Sequence, residues 1–218
     1  MPLCSYKVSH CVGKGSFGSV FLCSMIDRAG SVYAMKKIPL CSLNNYDKQN
    51  LINELRILSC HRCLFIVSFK TAFVENNHLY LITEYASQGD LSQVIKRHRN
   101  NGTKMEEPLI ITYFLQTCIA LSYLHTLHII HRDLKPANIF IDSNDNVKLG
   151  DFGIVKIMRS FMMYGQTQIG TPLYMCPEIY KRERYDAKVD IWALGCVLYE
   201  MMTFVFPELL FEIISLML

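Results

Sequence analysis

The sequence predicts an α+β chain in two lobes, a small strand-rich one over residues 1–85 and a mainly helical one over 86–218. Three observations predict it. The runs "YKVSHCVGKGSFGSVFLCSM" and "SVYAMKKI" hold short β-branched and aromatic stretches separated by glycine turns. After "SQGD" the apolar residues recur at helical spacing. Composition is that of a packed protein, 51% hydrophobic and 19% charged, with no repeat and no low-complexity stretch.

The elements follow in order. Two strands flank the turn of "VGKGSFGSV", and a third, "SVYAMKKI", is entered through "DRAGS". "KQNLINELRILSC" has helical spacing, with Leu51, Leu55 and Leu58 on one face. "LYLITEY" is a further strand, and "SQGD" reads as a hinge whose Asp90 caps a helix starting at Leu91. A polar loop, "RHRNNGTKMEE", leads to "PLIITYFLQTCIALSYLHTL", a helix with a wide apolar face and a proline suited to its first turn.

Charge and cysteine content narrow the function. A net charge of +3 gives no argument for nucleic acid or an anionic membrane surface. The start "MPLCSYKVSH" has no apolar core of a secretory leader, and Pro2 stands where N-myristoylation needs glycine. Nine scattered cysteines form no framework, which fits a reducing compartment, the cytoplasm or the nucleus. Cys60 and Cys63 have C-x-x-C spacing, but no second pair completes a zinc site.

Several side chains point to phosphate chemistry. Gly13, Gly15 and Gly18 allow a tight turn whose N–H groups can approach phosphate oxygens. A strand follows the turn, where a dinucleotide-binding unit would open a helix. Ala34 and Lys36, two apart in a strand, share a face suited to a flat ring and its phosphates. Glu54 interrupts the apolar stripe of its helix, and a carboxylate there needs a partner, for which Lys36 is the obvious choice. "IIHRDLKPANIF" delivers Asp133 and, five residues on, Asn138; "VKLGDFG" delivers Asp151. An aspartate to take a hydroxyl proton, with an Asn and a second Asp as hard oxygen ligands for Mg²⁺, equips a site for phosphoryl transfer.

With these motifs in this order, residues 6–203 resemble a eukaryotic serine/threonine protein kinase. The resemblance implies a bilobal fold, ATP and Mg²⁺ as cofactors, and a protein substrate. It implies that Val12, Gly13, Lys14, Gly15, Ser16, Phe17, Gly18, Ser19 and Val20 form the loop over the ATP phosphates. Lys36 would hold the α- and β-phosphates and pair with Glu54. Asp133 would be the catalytic base, with Lys135 beside it as in the serine/threonine class, and Asn138 and Asp151 would bind Mg²⁺. The backbone of Glu84 and Ala86 would face adenine, behind a gatekeeper Thr83. Val20 and Ala34 would lie above the ring and Phe140 below it. "ANIF", "TQIGTPLYMCPEIY" and "DIWALGCVLYEM" resemble the NIMA-related kinases most. Arg132 would dock a phosphorylated activation loop, with Thr167 the first candidate site, then Ser160 and Tyr164, modified by an upstream kinase or by autophosphorylation.

The chain departs from the family pattern in two places. Cys176-Pro177-Glu178 replaces A-P-E, and the chain stops 16 residues after Met202, where the family continues with further helices. The arginine expected opposite Glu178 is missing, since none follows Arg184. The helix from Ile191 to Met202 is apolar on nearly all sides and implies burial all round. The alternative to an active enzyme is therefore a truncated, catalytically weak chain that binds ATP or competes for a kinase's partners. No membrane span is expected in "IWALGCVLYEMMTFVFPELLFEIISLML", because Glu200, Glu208, Glu212 and Pro207 interrupt it. The expected location is cytoplasmic, with nuclear or cytoskeletal association implied by the resemblance.

Overall fold

The computed structural model describes residues 2–15, 18–27, 30–40, 63–150, 173–181 and 183–205. They form two compact units, one of residues up to Cys63 with Val67–Tyr85, the other of Leu64–Ile66 with the residues from Ala86 onward.

The first unit is an antiparallel sheet. Its strands are β1 (Tyr6–Gly15), β2 (Gly18–Met25), β3 (Val32–Pro39), β4 (Phe69–Glu75) and β5 (His78–Glu84), in the order β1-β2-β3-β5-β4. Register places Val20 opposite Lys36, and Ala34 opposite Thr83, so these four side chains share one face. The other face carries the core of Tyr6, Cys23, Met35, Tyr80 and Ile82. Phe73 stacks between Tyr6 and Tyr80 at centroid distances of 6.0 and 5.2 Å. Strand β4 is absent from the sequence reading. Its residues are half-buried along nearly the whole strand, so "FKTAFVE" lacks a clean alternation.

In the second unit, helix α1 (Leu91–Asn101) is capped by Asp90, whose Oδ1 accepts from the Gln93 amide at 3.1 Å. It ends at Gly102, whose φ of +64° admits a left-handed turn. The polar loop read from Arg97 onward therefore begins later. Arg97–Asn101 are helical, because the apolar face of Leu91, Val94 and Ile95 carries the exposed last turn along. Helix α2 (Glu107–Thr126) has Pro108 in its first turn and buries Ile110, Tyr113, Thr117, Ala120, Leu121 and Leu124. Among the described residues it is the one helix long and apolar enough to cross a membrane by length and composition.

A two-stranded ribbon, β6 (Ile139–Ile141) with β7 (Val147–Leu149), packs on α2. Its turn is built by Asp142, whose Oδ1 accepts from the amides of Asn144 and Asn146 at 2.8 and 2.9 Å. Helix α2 reaches the same turn. Gln116 Oε1 accepts from the Val147 amide at 2.7 Å, its Nε2 donates to Asn146 Oδ1 at 3.3 Å, and the Tyr113 hydroxyl donates to Asp145 Oδ1 at 2.9 Å. The Leu149 amide donates to Phe65 O at 2.8 Å, which ties Leu64–Ile66 to this ribbon.

The short helix α3 (Pro177–Tyr180) precedes α4 (Lys188–Thr203). Helix α4 buries Val189, Asp190, Ala193, Leu194, Cys196, Val197 and Met201, partly against α2. The burial on all sides that its composition implies is not met. Ile191, Tyr199 and Met202 are exposed, and nothing among the described residues covers their stripe. The Tyr174 hydroxyl donates to Glu200 of the same helix, and burial pushes this phenol up from its ordinary pKa. Glu178 has no ion-pair partner among the described residues.

Burial also controls the thiols. Cys23, Cys176 and Cys196 are buried, and loss of hydration pushes each up to about 11 from 9.0. The fold keeps them protonated, so the stability they contribute is present below pH 9.0 and is lost as pH rises toward 11. Iodoacetamide at pH 8, with peptide mass mapping, is expected to label exposed Cys4 and Cys11 first and the three buried thiols only on unfolding. Equal labelling of all five would contradict the packing described.

Candidate active site

The sequence-predicted residues fall on both units. On the first, the glycine turn joins β1 to β2, with Gly15 opposite Gly18 and Gly13 opposite Val20. Gly18 has φ +145°, and a Cβ there would stand 2.1 Å from the Lys37 carbonyl oxygen. No side chain fits, so the glycine is dictated by the approach of β3. A Cβ on Gly13 would meet nothing within 4 Å, which leaves that strand edge open. Gly18→Ala is expected to destabilise by about 1–3 kcal/mol through backbone strain and that clash. A denaturation midpoint equal to wild type would contradict this.

Lys36 lies in mid-strand on β3, half-buried, between Val20 on β2 and Leu81 on β5. Ala34, Val20 and Thr83 surround it on the same face. Glu84 uses its N–H within its own unit, donating to Ser68 O at 2.9 Å, and its Oε1 accepts from the Ser68 amide at 2.7 Å. Ser16, Phe17 and Glu54 lie outside the described residues.

On the second unit the segment 131–138 is built around two buried side chains. His131 is 1% exposed. Its Nδ1 accepts from the Asp133 amide at 3.3 Å, which leaves Nε2 protonated to donate to Gly150 O at 2.9 Å. The ring thus spans from the loop to the end of β7. Asp190, in the first turn of α4 and also 1% exposed, accepts from the His131 amide and from His125 Nε2 through Oδ2, each at 2.8 Å. Its Oδ1 accepts from the Arg132 amide at 2.8 Å. Three donors from two elements converge on one carboxylate. Asp190 was not singled out in the sequence. The available signal was an acid at the head of the otherwise apolar "DIWALGCVLYEM".

Asp133 emerges from this frame with its side chain 25% exposed. Its Oδ2 accepts from Lys135 Nζ at 2.9 Å and from Asn138 Nδ2 at 3.0 Å. Asn138 is buried, and its Nδ2 also donates to Asp133 O at 2.7 Å. With Nδ2 so committed, the Asn138 atom suited to a hard cation is Oδ1. The Pro136–Asn138 3-10 turn holds this geometry, and the Gly150 amide closes it by donating to Asn138 O at 2.9 Å. The Lys135–Asp133 pair is partly exposed and contributes little to stability. Phe140 is half-buried on β6, opposite Lys148, and bridges to Asp90. Ala86 is half-buried at the start of this unit. Asp151, Ser160, Tyr164 and Thr167 lie outside the described residues, as does the tail after Val205.

The structure therefore brings Asp133, Lys135 and Asn138 together within hydrogen-bonding distance. It also puts Val20, Ala34 and Lys36 on one sheet face. The chemistry available is proton acceptance at a carboxylate flanked by a cation, with an amide oxygen beside it for a metal.

The protein kinase domain family matches residues 6–210. A probable serine/threonine-protein kinase nek2 of Dictyostelium discoideum is 41% identical over 205 residues, covering 91% of this chain and 48% of that protein. The mouse serine/threonine-protein kinase Nek2 is 37% identical over 205 residues, covering 90% of this chain and 46% of its own. The mouse serine/threonine-protein kinase Nek1 is 38% identical over 192 residues, covering 88% of this chain and 16% of its own. The chain thus spans about half the length, or less, of these relatives.

Proposed function

Because this chain belongs to the protein kinase family and its relatives are NIMA-related serine/threonine kinases, we propose that it transfers the γ-phosphoryl of ATP to serine or threonine hydroxyls of a protein substrate. Kinases of this family use ATP and Mg²⁺ and act on proteins. The observation that carries the reading is the Asp133 carboxylate, held at 2.9 Å by Lys135 and at 3.0 Å by Asn138 in a loop anchored from beneath by Asp190.

The residues fit the cofactors. Gly13 leaves an open edge for close approach, and Lys36 stands among small and apolar side chains on a flat face. Asn138 Oδ1 and Asp151, which follows β7 in the sequence, would supply hard oxygens suited to Mg²⁺. Bound Mg²⁺–ATP supplies the phosphoryl group and neutralises its charge. Asp133 orients the acceptor hydroxyl and takes its proton as the oxygen becomes a nucleophile. Lys135, on the same carboxylate oxygen, offers positive charge to the phosphoryl oxygens as charge develops there. Asn138 fixes the Asp133 rotamer, so the carboxylate needs no reorganisation.

Thr167 is the proposed activating site, supported by Arg132 beside the catalytic aspartate. A cytoplasmic location is supported by the scattered cysteines. The test is Mg²⁺–ATP-dependent phosphate incorporation into a generic protein substrate by the 218-residue chain, with Asp133→Asn as control. Incorporation by wild type alone is expected. Equal incorporation by both proteins overturns the assignment, and a thermal shift with Mg²⁺–ATP but no turnover would leave binding without catalysis.

A further inference from the structure

Arg132 is constrained in two ways at its backbone. Its φ is +67°, in the left-handed region that non-glycine residues seldom occupy. Its N–H is held by Asp190. Together these fix the direction in which the side chain leaves the loop. Further out, Nε is buried and has no hydrogen-bond partner among the described residues. A buried N–H on a permanently charged group is unfavourable without compensation. The contact that is present is aromatic. The guanidinium carbon stands 5.3 Å from the centroid of the Tyr185 ring, within the range of a cation–π interaction.

Tyr185 is not explained as core, since it is 41% exposed. It lines an open cleft of about 470 Å³ with Glu178, Arg184, Asp186 and Lys188. Two carboxylates in that cleft are potential competitors for the arginine. Asp186 is already engaged, accepting from the Lys188 amide at 2.8 Å. Glu178 has no ion-pair partner among the described residues.

We propose that Tyr185 is a positioning residue for Arg132: its ring face stands in for the missing acceptor and keeps the guanidinium presented to an incoming anion. Asp190 and Tyr185, on one short stretch of chain, then control the backbone and the side chain of the same arginine. The consequence for catalysis rests on the phosphoryl-transfer reading, but the contact itself does not.

The test therefore needs no catalysis. Phenylglyoxal modifies arginines in the folded 218-residue protein, and peptide mass mapping gives the rate at Arg132, with exposed Arg97 and Arg99 as internal references. Tyr185→Leu is expected to raise the Arg132 rate about two- to fivefold, the range of an exposed cation–π contact. Tyr185→Phe, which keeps the ring face, should match wild type. An unchanged rate in the leucine variant, or an equal rise in the phenylalanine variant, overturns the proposal. If Tyr185→Leu lowers the denaturation midpoint, Tyr185→Trp decides: a stronger ring face should slow modification below wild type, and an equal or faster rate counts against the contact. Failure of phosphate incorporation would remove the kinase reading and leave these rates unaffected.

Discussion

Asp190→Ala is expected to destabilise the second unit strongly. It strands the amides of His131 and Arg132 and the Nε2–H of His125 at once. Each buried donor left without an acceptor costs about 1–3 kcal/mol. His125 is partly exposed and can turn to water, so the loss falls mainly on the two amides. A destabilisation of about 3 kcal/mol or more is expected, a large share of an ordinary domain's stability. Asp190→Asn should fall between, since it keeps one acceptor oxygen but points an N–H₂ group at donors. Urea denaturation monitored by tryptophan fluorescence measures this directly, because Trp192 lies two residues away. A loss under about 1 kcal/mol for the alanine variant would mean that water replaces the carboxylate and that it does not organise the loop.

Asp133→Asn should do the opposite, abolishing function while sparing the fold. The asparagine retains the shape and an oxygen to accept from Lys135 and Asn138, but it has no basic carboxylate for the hydroxyl proton. Phosphoryl transfer is expected to fall about 10²- to 10⁴-fold, the usual contribution of a positioned base. The unfolding free energy should change by no more than about 0.5 kcal/mol, as befits a partly exposed side chain. A variant as active as wild type would exclude Asp133 as the base. A variant that is inactive because it unfolds would show that the side chain is structural. The two variants thus test separate demands on this loop, Asp190 the holding of it in place and Asp133 the proposed reaction.

The sequence made much of this legible, for physical reasons. Short apolar runs between turn residues exposed β1, β2, β3 and β5, and helical spacing exposed α1 and α2. Asp90 and Pro108 marked helix starts because caps and first turns have few chemical solutions. Asp133, Lys135 and Asn138 were legible as a cluster because they lie within six residues, so one turn brings them together. Asp190 was not, because its donors at positions 125, 131 and 132 are distant in sequence and meet it only through folding. Strand β4 was missed because partial burial on both faces removes the alternation that marks a strand. Helix α4 misled in the other direction. Hydrophobicity reports what a helix is suited to bury, while Ile191, Tyr199 and Met202 remain exposed among the described residues.

The β6–β7 turn bears on cation selectivity. Asp142, Asn144, Asp145 and Asn146 place four carboxylate or carboxamide side chains within five residues, a density seen in calcium-binding loops. Three of those oxygens already serve donors. Asp142 Oδ1 serves two amides, Asp145 Oδ1 a phenol, and Asn146 Oδ1 the Gln116 amide. A divalent ion entering there would have to displace the bonds that set the ribbon's register. This acid-rich turn is thereby a poor site for a divalent cation, its oxygens being committed to holding the ribbon's register.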